Sequence, residues 1–224
     1  MKKLILLLLF IPLFSTSQEF KYQYNIASVV FNVDSISSEE IHSRAVRAIA
    51  NIYNNANNVI QMNDKESGKL VIKGSSSIII NNPIKSMYPK NKYISQGWEL
   101  FYNHTINIDS KDGRYRIVYT VSNPEYDGGP NVVGNISFDG VKFFNYENSD
   151  EQDITSYIEA KLNSPGMGIL GKKRKALYSE ALSKMPADIV EQLKYDTKQV
   201  CLRINDAIQQ NSILESNSIL NDDF

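Results

Sequence analysis

Apolar and polar residues alternate through much of the first half of the chain, a pattern typical of half-buried strands. Residues 20–33 are predicted to form a strand or strand pair centred on Val29-Val30-Phe31. Ser37 and Glu40 have the spacing of a capping box, which predicts the start of a helix. Asn57-Asn58 predicts its end. One apolar stripe follows with helical spacing: Ile41, Ala45, Ala48, Ile49, Ile52, Tyr53 and Ala56. Off this stripe we expect Arg44, Arg47 and a solvated His42.

Period-two segments follow the helix and predict two hairpins. Asp112-Gly113 predicts a tight turn, since glycine tolerates a positive φ. In the return strand, residues 114–121, one face carries Tyr115, Ile117, Tyr119 and Val121, and we expect it to face the core. The predicted strand segments are, in order, 59–62, 70–72, 78–80, 100–108 and 114–121.

The periodicity becomes helical after residue 153. Helices are predicted over 154–162, 176–185 and 186–210, with Pro186 in the first turn of the last. The predicted organisation is 1–17 signal peptide, 18–124 sheet domain, 125–150 loop or small hairpin with short strands near 132–138 and 141–146, 151–211 helical segment and 212–224 flexible tail.

Two segments carry a resemblance to a known family. They are Gly68-Lys69-Leu70-Val71-Ile72-Lys73-Gly74 and Asp109-Ser110-Lys111-Asp112-Gly113-Arg114-Tyr115-Arg116. With the order strand, helix, hairpin, loop, hairpin, residues 25–124 resemble exported bacterial domains of Bacteroidetes-type envelopes, described as a domain of unknown function with a TATA-binding-protein-like (TBP-like) fold. The resemblance implies an α+β fold in β-α-β-β-β-β order, with a curved antiparallel sheet, helices packed on one face and C-terminal helices after it. It implies no catalytic residue.

The N-terminus has the three parts of a Sec signal peptide. Lys2 and Lys3 precede the apolar run Leu4–Phe14, and the small residues Ser15-Thr16-Ser17 follow. The run is shorter than the roughly 20 residues of a membrane-spanning helix, so no transmembrane anchor is expected. We therefore expect a periplasmic or secreted protein, which loses two lysines on cleavage.

Composition removes several function classes. The chain of 224 residues has 24 Lys and Arg against 25 Asp and Glu, which argues against nucleic-acid binding. One cysteine and two histidines argue against disulfides and a metal site, and no cofactor is expected. A non-enzymatic binding or structural module that contacts another envelope protein fits best. The alternative is a hydrolase or transferase acting on envelope glycan or peptide through an unrecognised site.

Three local motifs have simpler explanations than catalysis. Residues 166–172 have the spacing of a phosphate-binding loop, but Lys173 replaces the Ser or Thr that binds magnesium. Asp109 and Asp112 resemble a carboxylate pair but are typical of a turn. Cys201 is expected at the edge of the core. A basic cluster remains that could contact anionic lipid or a partner: Lys172, Lys173, Arg174 and Lys175.

Two surfaces are candidate binding sites. The first is the sheet face opposite the predicted core face, with Lys73, Phe101, Asn103, Arg114 and Arg116, accompanied by Ser75 and Thr105. A merely solvated sheet face is an equal alternative. The second surface lies near the proline-containing loop, where aromatic residues could anchor a partner: Tyr88, Tyr93, Trp98 and Tyr102.

Overall fold

The computed structural model describes residues 18–53, 56–122, 125–126, 136–137, 159, 162–163 and 167–219. Side chains are described up to residue 210, except those of 125–126, 136–137 and 167. The predicted signal peptide lies outside the described residues, as do most of the segments 132–138, 141–146 and 154–162. None of the described helices has both the length and the apolar character needed to span a bilayer.

One antiparallel sheet forms the body of the protein. Its main strands lie in the order β1-β2-β6-β5-β4-β3. They are β1 (Lys21–Gln23), β2 (Ile26–Asn32), β3 (Ile60–Asp64), β4 (Lys69–Asn81), β5 (Gly97–Lys111) and β6 (Arg114–Val121). Two short strands, β7 (Glu125–Tyr126) and β8 (Ile136–Ser137), pair with each other, and β7 also pairs with β5. The helices are α1 (Ser38–Ile52), α2 (Ala56–Val59), α3 (Pro83–Met87) and α4 (Lys172–Ile219).

Helix α1 begins where the sequence predicts but ends earlier. The Ser37 hydroxyl accepts a hydrogen bond from the backbone N–H of Glu40 at 3.2 Å, which caps the first turn. The helix stops at Ile52 rather than at Asn57-Asn58, because Tyr53 takes an extended conformation. The Tyr53 hydroxyl then bonds His104 on β5 at 2.8 Å, so a tertiary contact sets this end of the helix.

Two polar side chains of α1 are buried, contrary to the sequence prediction. His42 is 2% exposed, and its Nε2 lies 2.7 Å from Asn63 Oδ1 on β3. Arg44 is 5% exposed and its Nε donates to Glu40 Oε1 at 2.7 Å, while its Nη1 lies 3.5 Å from the carbonyl oxygen of Ile208. These bonds offset part of the cost of burying the two side chains, because a buried polar group is costly when it lacks a partner. His42 Nδ1 is buried without one.

The core lies between one face of the sheet and the helices α1 and α4. The predicted inward face of β6 is buried throughout, and the Tyr115 ring stacks on Phe31 of β2 with centroids 5.2 Å apart. Each large side chain buried in this way contributes about 1.5–3 kcal/mol to folding. The apolar stripe of α1 covers the same face, so the helices and the sheet share one core.

The described residues from Lys172 to Ile219 form one helix, where the sequence predicts two. Pro186 lies inside α4, whereas the sequence places it in the first turn of a separate helix. The missing N–H of proline costs one helical hydrogen bond. Packing on the sheet compensates, since Met185 and Ile189 on either side of Pro186 are buried. The helix runs on to Ile219, into the segment 212–224 that the sequence predicts as a flexible tail.

Several hydrogen bonds fix α4 on the sheet. Asn81 Nδ2 donates to Asp188 Oδ2 at 3.1 Å, and Ser76 Oγ donates to Asp196 Oδ2 at 3.2 Å. The Tyr115 hydroxyl donates to Asn205 Oδ1 at 2.8 Å. Helix α4 therefore belongs to the same body as the sheet. The predicted α+β class, an antiparallel sheet with helices on one face, is confirmed.

Candidate binding face

In the part of the chain that the structure describes, α1 and α4 pack on one face of the sheet. The other face, which we call the open face, carries the odd-numbered residues of β4 from Lys69 to Ile79, those of β5 and the even-numbered residues of β2 and β6. The five residues predicted as a binding surface all lie on it and are all exposed: Lys73, Phe101, Asn103, Arg114 and Arg116. The β-sheet registers bring them together, since Lys73 pairs with Thr105 and Ser75 with Asn103.

Exposed apolar side chains lie among these polar residues. Phe101 is 47% exposed and Val30 is 48% exposed. The exposed large apolar side chains of the open face come from four strands and are Ile26, Val30, Met62, Ile79 and Phe101. Single exposed apolar residues are ordinary, but several on one sheet face are typical of an interaction surface. Of these the sequence prediction identified Phe101 alone. The register places Ile79 close to Phe101, since Ile79 pairs with Glu99. Ile26 and Val30 on β2 are separated from Met62 on β3 by three strands.

The open face is basic although the chain as a whole is slightly acidic, with a formal net charge of -1. Among the residues whose side chains the structure describes, the acidic side chains of the open face are Asp64, Glu99 and Asp109. Its basic side chains outnumber them and are Lys21, Lys69, Lys73, Lys111, Arg114 and Arg116. Positive charge is thus concentrated on one face, which favours an acidic partner.

A pocket of about 430 Å³ lies at the hairpin end of this face, and we call it the basic pocket. It crosses four strands, from Lys69 on β4 to Val30 on β2. Inside it, Arg116 Nη2 donates to Asp109 Oδ2 at 2.6 Å. The basic side chains that line it are Lys69, Lys111, Arg114 and Arg116. The sequence prediction did not include Lys69 and Lys111. Lys111 could have been identified, because pairing of residues 109–111 with 114–116 across the predicted turn places it opposite Arg114.

A buried polar network lies on the other side of the sheet. Tyr102 donates a short hydrogen bond to Asp196, and its hydroxyl lies 3.4 Å from that of Tyr119. Burial lowers the pKa of His104 to about 4, against a weaker opposing effect of the Asp196 charge. Burial also raises the pKa of Tyr53, the hydrogen-bond partner of His104, to about 12. At neutral pH both rings are uncharged. The bond from Tyr102 to Asp196 joins the sheet to α4.

The other candidate residues do not form a shared site. Trp98 and Tyr102 are buried in the core, and Tyr93 is 86% exposed. Tyr88 is half-buried, with the Arg174 guanidinium 4.7 Å from its ring centroid. The aromatic residues near the proline-containing loop therefore do not make one surface. In the basic cluster at the start of α4, Lys172, Lys173 and Arg174 are exposed and Lys175 is half-buried.

The two turn carboxylates serve separate structural purposes. Asp109 pairs with Arg116 on the open face. Asp112 Oδ1 accepts from the backbone N–H of Ser38 at 2.7 Å, at the start of α1. Cys201 is buried, and burial raises the pKa of its thiol to about 12, in agreement with a core position. Within the described residues no group of His, Cys, Asp and Glu is arranged to hold a metal ion.

Comparison with known proteins supports the predicted resemblance. Residues 28–127 match the family model of a domain of unknown function (DUF4468) with TBP-like fold. A TBP-like protein from Parabacteroides distasonis ATCC 8503 is similar at 16% identity and a TM-score of 0.45, over 82% of this chain and 92% of that chain. A DUF4468 family protein from Bacteroides ovatus ATCC 8483 is similar at 13% identity and a TM-score of 0.44, over 80% and 85% of the two chains. No curated protein matches the chain. The predicted resemblance to a domain of unknown function with TBP-like fold is thus confirmed over residues 28–127, and no specific function is known for this family.

Proposed function

We propose that this chain, whose residues 28–127 match a family of unknown function, is an exported envelope protein that binds an acidic partner protein through its open face. The observation that carries the proposal is the combination of exposed apolar and basic side chains on that face, above all Phe101 and Lys73. Apolar side chains gain free energy when a partner covers them, and the surrounding charges select which partner does so.

Export is proposed from the N-terminal sequence. Lys2 and Lys3, the apolar run Leu4–Phe14 and the small residues before Gln18 are those that a signal peptidase requires. Expression of the full chain in a related bacterium, followed by fractionation and N-terminal sequencing, tests this. We expect a periplasmic or secreted protein that begins at Gln18. Cytoplasmic protein that keeps residues 1–17 would contradict it.

Partner binding is tested by capture from envelope extract on the immobilised mature chain. The variant Phe101→Ala/Lys73→Ala removes one aromatic and one basic side chain from the open face. The matched control Tyr93→Ala/Lys92→Ala removes the same two types from an exposed loop, where Lys92 Nζ lies 5.3 Å from the Tyr93 ring centroid. We expect wild type and control to retain the same protein, and the open-face variant to lose it. Equal retention by both variants would refute the proposal.

A further inference from the structure

The basic pocket concentrates charge that the described residues do not neutralise. Arg116 is paired with Asp109, but Lys111 and Arg114 face each other directly across the β5–β6 hairpin. Like charges in opposite positions of a hairpin destabilise it. Lys111 and Arg114 form no ion pair with an acidic group of the described residues. Lys69, by contrast, lies in register between Asp64 of β3 and Asp109 of β5. An anionic ligand would relieve this repulsion.

The pocket is built on a rigid corner where three turns meet. Ser110 N donates to the carbonyl oxygen of Gly68 at 2.8 Å, which joins the β5–β6 hairpin to the β3–β4 turn. Gly113 N donates to the carbonyl oxygen of Ile36 at 2.9 Å, and Ser38 Oγ donates to that of Ser110 at 3.0 Å. These bonds join both hairpins to the start of α1. Lys69, Lys111 and Arg114 are the strand residues that adjoin these turns, so their backbones are positioned before any ligand binds.

The neighbours of the charges indicate the kind of anion. Val30 lies opposite Arg116 in the β2–β6 register and is half-exposed, so one wall of the pocket is apolar. Asp109 places a negative charge inside the pocket, which disfavours the dense charge of a nucleic-acid backbone. A volume of about 430 Å³ suits one or two amino-acid side chains. A peptide with separate carboxylates and apolar residues between them fits the apolar wall, the nearby negative charge and the volume of the pocket.

We propose that the basic pocket binds the carboxylates of an acidic peptide segment, with Lys111 and Arg114 as their main partners and Val30 as the contact for an intervening apolar residue. The proposal rests on the proposed function and specifies which part of the partner enters the open face. Guanidinium and ammonium groups form charge-assisted hydrogen bonds with carboxylates, and these are stronger than bonds between neutral groups.

The test uses the mature chain and a fluorescein-labelled peptide in which Glu and Val alternate. Its counterparts are the same peptide with Gln for Glu and a labelled oligothymidylate of equal length. By fluorescence anisotropy at low salt, we expect the Glu peptide alone to bind appreciably. Lys111→Gln/Arg114→Gln should weaken binding by about tenfold or more, since a charge-assisted hydrogen bond contributes ~1.5–3 kcal/mol. The matched control Lys90→Gln/Lys92→Gln should bind as wild type does.

Each other outcome overturns the proposal. It is overturned if the Glu peptide binds both variants equally, if the Gln peptide binds as tightly, or if the oligothymidylate competes at the same concentration. Thermal unfolding is expected to show Lys111→Gln/Arg114→Gln at least as stable as wild type, because a like-charge pair is removed. If capture from envelope extract depends on Phe101 but the Glu peptide does not bind, the proposed function stands and the peptide-binding role of the pocket is refuted. If the Glu peptide binds but no partner is captured, the pocket proposal stands and the proposed function is refuted.

Discussion

Gly68 is predicted to be a position at which an added methyl group strongly destabilises the fold. It lies in the β3–β4 turn with φ +66, and a Cβ there would stand 2.7 Å from the carbonyl oxygen of Ser110 and 3.0 Å from Ser38 Oγ. Gly113 in the β5–β6 turn is its natural control. Its φ is +71, but the nearest atom to a Cβ would be the carbonyl oxygen of Val33 at 3.9 Å.

The two substitutions share one cost and differ in another. A left-handed backbone costs an alanine about 1–2 kcal/mol at either position. Alanine also restricts the unfolded chain by the same amount in both variants, so this effect cancels in the comparison. Gly68→Ala must in addition displace backbone, which in a packed site costs roughly 1–3 kcal/mol. We therefore expect Gly68→Ala to lower the free energy of unfolding by ~2–5 kcal/mol and Gly113→Ala by ~1–2 kcal/mol.

Urea unfolding at neutral pH, followed by the fluorescence of Trp98, measures the difference. Trp98 is the single tryptophan and is buried, so its emission reports on the whole core. The comparison requires equal dependence of the unfolding free energy on urea in both variants. If Gly113→Ala proves as destabilising as Gly68→Ala, the close packing of the three turns is not what the structure indicates, and the rigid corner beneath the basic pocket is refuted as well.

Three further predictions concern buried groups. Because burial lowers the pKa of His104 from 6.5 to about 4, the unfolded chain binds a proton that the folded one does not, so stability present above pH 6.5 is lost as pH falls toward 4. By pH ~5 the loss should be about 2 kcal/mol, and urea titrations of His104→Gln should lack it. Cys201 should react with a thiol reagent at mildly alkaline pH only after unfolding, because burial raises its pKa to about 12; rapid reaction of the native chain would contradict this. Tyr115→Phe should cost about 1 kcal/mol through loss of the bond to Asn205, measured as a lower urea midpoint, and an unchanged midpoint would show that bond to be immaterial.

Local patterns in the sequence determined the secondary structure of the sheet domain well. The alternation in residues 114–121 reproduces β6 and its buried face, because period-two burial is a property of any half-buried strand. Ser37 and Glu40 located the start of α1, because a cap is an interaction between neighbours in sequence. The same alternation predicted which residues lie on the open face, since these are the strand positions that point away from the core.

Only the tertiary structure decided what lies between segments distant in sequence. His42 and Arg44 look solvated from the helix alone, yet Asn63 and the backbone of Ile208 supply partners that permit their burial. Pro186 resembles a helix start, yet packing on the sheet keeps α4 continuous through it. The basic pocket joins Lys69 to Arg114 across three strands. The physical reason is the same in each case. Periodicity reports which side of an element faces the core, whereas partners and pockets arise from strand register and helix packing, which depend on the whole chain.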